Sequence, residues 1–191
     1  MPPGDPSQSV VVLVEGESDA VVVRHLLAAQ DALDAVAVLP MGGITNVDRW
    51  LARTAGRAGA GLYDAAERRF VTRALRRRGV RLESGASLVE HGFFECDADL
   101  EDELIRALGP AQVVEALDAI GDGARFETFV HQPQWRDRPI GDQLHRFAGS
   151  GSGRKALLAE QLARRLTPAT TPAPLSGVVA HALALVGART A

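Results

Sequence analysis

The residues of this sequence best suited to chemistry are carboxylates placed at the ends of apolar runs. Val10-Val11-Val12-Leu13-Val14 has no polar interruption and reads as a fully buried strand. It stops on Glu15, in the stretch Glu15-Gly16-Glu17-Ser18-Asp19. A carboxylate on the end of a buried strand needs a partner or a metal, and the carboxyl edge of an open α/β sheet is where such folds hold ligands. Gly16 permits a sharp turn, Ser18 is placed to cap a helix, and Asp19 then stands one turn from Glu15. Asp19 also has a simpler reading, as an acid that suits the dipole of a helix start.

Two further acidic groups sit at comparable places. Asp64 and Glu67 follow a weak strand, Gly59 to Tyr63. The densest run is Asp97-Ala98-Asp99-Leu100-Glu101-Asp102-Glu103, five acids in seven positions. Asp97 and Asp99 share one side of an extended segment, and Asp99 and Glu103 share a helix face. An N-cap role for Asp99 and a dipole role for Glu101 and Asp102 account for part of the run. Five acids exceed what a cap needs, and such close like charges repel unless a cation neutralises them. Oxygen donors of this kind suit Mg²⁺ or Mn²⁺. Three acidic groups at three strand ends of a parallel sheet can meet in one crevice. Two cations about 4 Å apart would there clamp the attacking and leaving oxygens of a phosphodiester displacement.

The elements that must position these acids alternate. Ser18 to Gln30 reads as a helix with Val22, Val23, Leu26 and Leu27 on one face. Ala35 to Leu39 is a short strand, and Met41-Gly42-Gly43 a turn. Thr45 or Asn46 can cap a helix that turns Val47, Trp50, Leu51 and Ala55 inward. Ala65 to Arg78 is helical, basic and stopped at Gly79. Leu88-Val89 and Phe93-Phe94 bracket one strand or two short ones that lead into Cys96-Asp97. Leu100, Leu104, Ile105 and Leu108 share a helix face that ends at Gly109-Pro110. Strand and helix in alternation predict an α/β fold with a parallel sheet. Beyond Pro110 every segment reads as helix: Val113 to Ile120, Phe126 to Val130, Ile140 to Phe147, Leu157 to Leu166 and Leu175 to Val186. The expected organisation is a disordered tail over 1–8, an α/β core over 9–108 and a helical extension over 109–191 packed on that core.

Composition narrows the class. With 191 residues, 46% hydrophobic and 24% charged, the chain matches an ordinary soluble globular protein. No run is apolar for the ~18 residues that a membrane span takes, and the start lacks the pattern of a signal peptide. A lone cysteine, Cys96, excludes an internal disulfide and a multi-cysteine zinc site, and fits a reducing cytoplasm. The net charge of −3 argues against a generally basic nucleic-acid binder. Arginine is concentrated, however: Arg69, Arg73 and Arg76 or Arg77 form a stripe on one helix, either a solvated face or a track for phosphates. Lys155 is the only lysine. The five histidines show no ligand spacing, and Gly149 to Lys155 lacks both the spacing and the preceding strand of a phosphate loop.

These motifs, in order, resemble the TOPRIM domain, the metal-binding catalytic module of type IA topoisomerases, bacterial primases and OLD-family nucleases. Glu15-Gly16-Glu17-Ser18-Asp19 is similar to its glutamate motif, Met41-Gly42-Gly43 with Asn46-Val47 to its glycine turn, and Asp64 to its aspartate motif. Asp99-Leu100-Glu101 resembles the acidic element of the OLD family, and Gly153-Arg154-Lys155-Ala156 its lysine-bearing helix. The likeness spans residues 9 to 186. It implies a Rossmann-like core with a mostly parallel four-stranded sheet and a helical C-terminal extension. It further implies that Glu15 and Asp64 hold one Mg²⁺ or Mn²⁺ ion, that Asp19 and Glu101 with Asp99 serve a second, and that Lys155 stabilises charge at the scissile phosphate. Arg69, Arg73, Arg77 and Arg154 would contact nucleic acid. The sequence departs from the family's Asp-x-Asp: Ala66 follows Asp64 at the second position, and the next acid is Glu67, whose longer side chain one position on either reaches the same ion or leaves the site weakened or inactive.

The implied activity is Mg²⁺-dependent phosphodiester hydrolysis of nucleic acid, DNA foremost. The ATPase that full-length OLD proteins carry has no counterpart here. A tyrosine nucleophile for strand passage is not available on a loop, since the only tyrosine, Tyr63, falls on a strand. The rival function is a non-catalytic metal-binding module that binds nucleic acid or regulates a partner, and a phosphotransfer domain for small molecules is a third. A separately encoded protein partner and a homodimer are both compatible with the sequence.

Overall fold

A computed structural model describes residues 8–83, 85, 87–150 and 154–190. The expected tail falls outside these apart from Gln8, which is held: its side-chain amide donates to the carbonyl of Leu33, and Arg57 donates to its backbone oxygen. Gly153 also falls outside them.

Four strands, β1 (Val10–Val14), β2 (Val36–Pro40), β3 (Ala58–Asp64) and β4 (Phe93–Cys96), form one parallel sheet in the order β2-β1-β3-β4. All five residues of β1 are buried, as a central strand covered on both faces must be. Each Val or Leu side chain so buried stabilises the fold by roughly 1.5–3 kcal/mol. Strand order steps one way from β1 to β2 and the other way from β3 to β4. The point of reversal lies between β1 and β3, and the crevice at their carboxyl ends is where a sheet of this order holds ligands.

One face of the sheet, with Val11 and Leu13, packs on the turn at Met41, on α2 (Val47–Arg53) and on α3 (Arg68–Arg77). The other, with Val10, Val12 and Val14, packs on α1 (Glu17–Ala28) and on helices of the C-terminal half. Those are α4 (Leu100–Ala119), α5 (Gly123–Val130), α6 (Ile140–Ala148), α7 (Arg154–Ala163) and α8 (Ala173–Thr190). A single apolar cluster runs from β1 through Leu162 to Ala182, across residue 108. The last helix, α8, covers the side of the sheet that α1 leaves open, touching β1, β3 and β4. Gly177 permits that contact, because a Cβ there would come within 2.6 Å of the Phe94 ring.

Several boundaries differ from the sequence reading, each for a local reason. Ser18 does not cap α1. Gly16 takes the cap position, and the Asp19 carboxylate accepts its N–H at 2.9 Å. Asn46 occupies the N-cap position of α2 without a side-chain cap bond; its amide donates instead to the carbonyls of Met41 and Gly42. With α2 ended at Arg53, Ala55 is exposed rather than inward. Leu88-Val89 is no strand: Val89–His91 form a 3-10 turn, and Gly92 in the left-handed region starts the chain into β4. α4 continues through Pro110, but Gly109, with φ 76° and ψ 160°, breaks its backbone at the place where a stop was expected.

Candidate metal centre

β1 delivers Glu15 and β3 delivers Asp64 to adjacent strand ends, since the pairing Leu13↔Gly61 aligns the two strands there. On its other side Gly61 leaves room for the Phe93 ring of β4, which a Cβ would meet at 2.5 Å. Glu15 is fixed by its backbone. Its carbonyl accepts the N–H groups of Gly42 and Gly43, both at 3.1 Å, and Val14 accepts from Met41 at 2.8 Å. Gly42 and Gly43 reach this geometry with φ of 69° and 105°, which side-chain-bearing residues rarely adopt. Asn46 and the Trp50 indole, both donating to Met41, hold the turn from below. The glycine turn thus serves to position Glu15.

Glu67 enters through a 3-10 turn, Ala65–Glu67, that directly follows β3. With three residues per turn, positions i and i+3 eclipse, so Glu67 comes to the same side as Asp64. One oxygen each from Glu15, Asp64 and Glu67 lies within 4.8 Å of the other two. The altered Asp-x-Asp spacing therefore still brings a second acid from this turn to the cluster.

The crevice is lined by Glu15, Asp19, Asp64, Asp99, Glu101 and Lys155, with about 340 Å³ of space. Glu15, Asp19, Asp64 and the neighbouring Glu67 make no ion pair among the described residues. Burial, then the charges of Asp19, Glu15, Asp99 and Glu101, push the Asp64 carboxyl up to about 7. Burial, a hydrogen bond shared with Glu15 and the neighbouring carboxylates push Glu67 up to about 8. Asp19 rises to about 6, chiefly through burial and against the N–H of Gly16. Glu67 Oε2 is buried with no hydrogen-bond partner among the described residues. A set of hard oxygen donors, held close and short of positive partners, fits a divalent cation such as Mg²⁺ or Mn²⁺. Glu15, Asp64 and Glu67 are the residues that would hold it.

The remaining expected residues divide. Lys155, at the start of α7, reaches the crevice and pairs with Glu101 at 3.3 Å. Asp19 and Glu101 line the same space. Asp99 lines it too, but both oxygens are engaged: one caps α4 by accepting from Asp102 N–H at 2.8 Å, and the other meets His145 Nε2 at 2.6 Å. Within Asp97–Glu103, protein groups meet part of the repulsion. Arg106 lies 2.7 Å from Asp102, 2.8 Å from Glu103 and 3.9 Å from Asp97. Arg154 pairs with buried Asp122 at 3.2 Å and stacks on Phe147, so its charge serves the anchoring of α7.

On α3, Arg69 and Arg73 line an exposed groove that begins at Ala65 and Ala66, next to Asp64. Arg77 lines it as well while pairing with Asp48 at 3.2 Å. The histidines show no ligand spacing in the sequence, and His145 meets Asp99 from 46 positions away. No local spacing could have signalled that contact. Asp122, buried and paired with the distant Arg154 as well as with Arg125 three residues on, was also missed.

No family model matches the sequence, and no curated protein does. Solved structures do match the fold. The C-terminal region of the Burkholderia pseudomallei OLD protein superposes with a TM-score of 0.69 at 20% identity, over 94% of this chain and 98% of that one. The C-terminal region of the Xanthomonas campestris pv. campestris OLD protein gives 0.69 at 19% identity, over 98% and 100%. Among the described residues no helix is long and apolar enough to cross a membrane. With its four parallel strands, its glycine-braced Glu15 and its helical second half, the chain has the fold of the C-terminal region of OLD proteins, as the TOPRIM resemblance implied.

Proposed function

We propose that this chain is a divalent-metal-dependent nuclease domain that hydrolyses phosphodiester bonds in DNA. The observation that carries the reading is the convergence of Glu15, Asp64 and Glu67, from two strand ends and a 3-10 turn, within 4.8 Å of one another at the switch point of the sheet. The fold shared with OLD C-terminal regions supports it. A divalent cation bound there supplies Lewis-acid stabilisation of the phosphate and a more acidic water. Asp19 and Glu101, across the same crevice, are the residues for a second ion. Lys155 keeps a positive charge at the crevice beside Glu101, where it can meet a non-bridging phosphate oxygen. Arg69 and Arg73 give the strand a phosphate-binding approach along α3.

Incubation with supercoiled plasmid and Mg²⁺ or Mn²⁺ tests this. Nicked or linear product is expected, abolished by chelator and by Glu15→Gln or Asp64→Asn. Cleavage indifferent to both substitutions would refute the site. Tight metal and DNA binding without cleavage would leave a non-catalytic binding module instead.

A further inference from the structure

A second groove opens on the helical side of the metal crevice. It holds about 430 Å³ and is lined by Trp135, Arg138, Asp142, His145 and Arg146, with Asp99 common to both spaces. Its volume lies within the range of pockets that hold small organic ligands. Trp135 is half-buried at this groove and rests on Phe129, centroids 5.1 Å apart, which packs in turn on Phe126 and Phe147. Its backbone is tied by buried Gln143, whose amide donates to the Trp135 carbonyl at 2.6 Å. The indole is therefore a fixed platform rather than a loose side chain.

Arg138 and Arg146 are exposed and make no ion pair among the described residues, whereas Arg106, Arg125, Arg136, Arg154 and Arg164 of the same half each pair with an acid. Against these two cations the groove sets one exposed acid, Asp142, since Asp99 is already bound by His145 and the α4 cap. A rigid aromatic side chain lining one groove with two unspent guanidinium groups is the chemistry that recognises a base with its flanking phosphates. In a duplex the base faces are stacked and cannot reach such a platform without flipping out.

We propose that this groove binds an unpaired nucleotide next to the cleavage point, with its base on Trp135 and its phosphates on Arg138 and Arg146. The substrate class is thereby narrowed to single-stranded or frayed DNA. The inference rests on the reading of the adjoining crevice as a nucleic-acid site.

Binding in chelator, with no cleavage to confuse it, tests the groove. The chain has two tryptophans, so Trp50→Phe leaves Trp135 as the sole indole reporter. Short oligothymidylate should quench it saturably, and blunt duplex or inorganic phosphate should not. Anisotropy of the labelled oligonucleotide gives the same affinities without the Trp50 change. Loss of base stacking in Trp135→Ala should weaken binding by about 10-fold or more, while Trp135→Phe, which keeps an aromatic face, should stay within about 3-fold. Arg138→Glu with Arg146→Glu, both at exposed positions, should weaken it by at least about 10-fold and lower its salt dependence. Absent quenching, or equal quenching by duplex, overturns the groove even if plasmid is cleaved. Quenching with no cleavage in Mg²⁺ or Mn²⁺ leaves the groove standing and refutes the nuclease reading.

Discussion

Two acidic regions of this protein, of opposite design, face the same crevice. In Asp97–Glu103 five acids crowd one helix start, and Arg106, His145, Lys155 and the N–H groups of Asp97 and Asp102 answer four of them besides Asp97, which itself lies at 3.9 Å from Arg106. In the cluster of Glu15, Asp64 and Glu67 only three acids meet, from separate elements, yet Asp64 and Glu67 are pushed up to about 7 and about 8 because burial and mutual repulsion go unanswered. Acid density along a chain therefore says little about cation binding. What marks a site is charge that the fold gathers and leaves uncompensated.

That contrast predicts a large functional difference between superficially similar substitutions. Asp64→Asn or Glu15→Gln should lower metal-dependent cleavage by at least about 100-fold, beyond the 10–100-fold typical of groups outside the ligand set. Asp102→Asn, a change in the denser run, should leave cleavage within about 3-fold, since Asp102 faces Arg106. Initial rates on plasmid measure both. Equal losses from the two kinds of change would erase the distinction.

The next effect is on stability and its pH dependence. Asp64 ionises at about 7 in the fold against 3.8 when free, so the folded chain holds a proton that the unfolded chain has released. The stability that Asp64 contributes without metal is therefore fully present below pH ~4 and is lost as pH rises through about 7, and the still higher value of Glu67 extends the loss to about 8. A bound cation reverses the sign of the local field. Mg²⁺ should raise the melting temperature little at pH 5 and by several degrees at pH 8, reaching about 2.7 kcal/mol at 100 times Kd. Thermal melts with and without Mg²⁺ across this range check it. A metal effect that is flat with pH would mean that these carboxyls are not the ligands.

Much of this organisation was legible in the sequence. Five uninterrupted aliphatic residues ending on Glu15 announced a central strand and its exposed carboxyl end, because burial on both faces leaves no room for polar alternation. Strand–helix alternation announced the parallel sheet. Three features were not legible. The 3-10 turn after Asp64 leaves no mark in residue types, yet it is what brings Glu67 to the cluster. The meeting of His145 with Asp99 depends on how α6 docks against α4. The seat of α8 on the sheet followed from the need to cover β3 and β4, and only its buried Leu175, Val178 and Ala182 hinted at it. Arg106 is a different case, since its spacing of four from Asp102 and three from Glu103 was open to inspection as helix-neighbour pairing.

The dense run should instead respond in folding. Glu103 is 7% exposed, accepts the Asp97 N–H at 2.9 Å and pairs with Arg106 at 2.8 Å. Glu103→Ala strands those donors and should cost about 1–3 kcal/mol, read from urea denaturation, with the metal-dependent rise in melting temperature retained. Loss of that rise would place Glu103 among the metal ligands.

The smallest expected effect concerns Asp99, where the two designs meet. As the N-cap of α4 it should lose about 1 kcal/mol on change to Ala, and almost nothing on change to Asn, because an amide oxygen accepts the Asp102 N–H equally well. Asn also removes the charge that faces His145 and the crevice. If Asp99 is there for the helix, Asp99→Asn keeps both stability and Mg²⁺ affinity, and Asp99→Ala loses only the first. If it ligates, Asp99→Asn lowers Mg²⁺ affinity by 10-fold or more while stability stays put. Paired denaturation and Mg²⁺ titrations on the two variants assign Asp99 to one region or the other, because only the amide variant separates its cap from its charge.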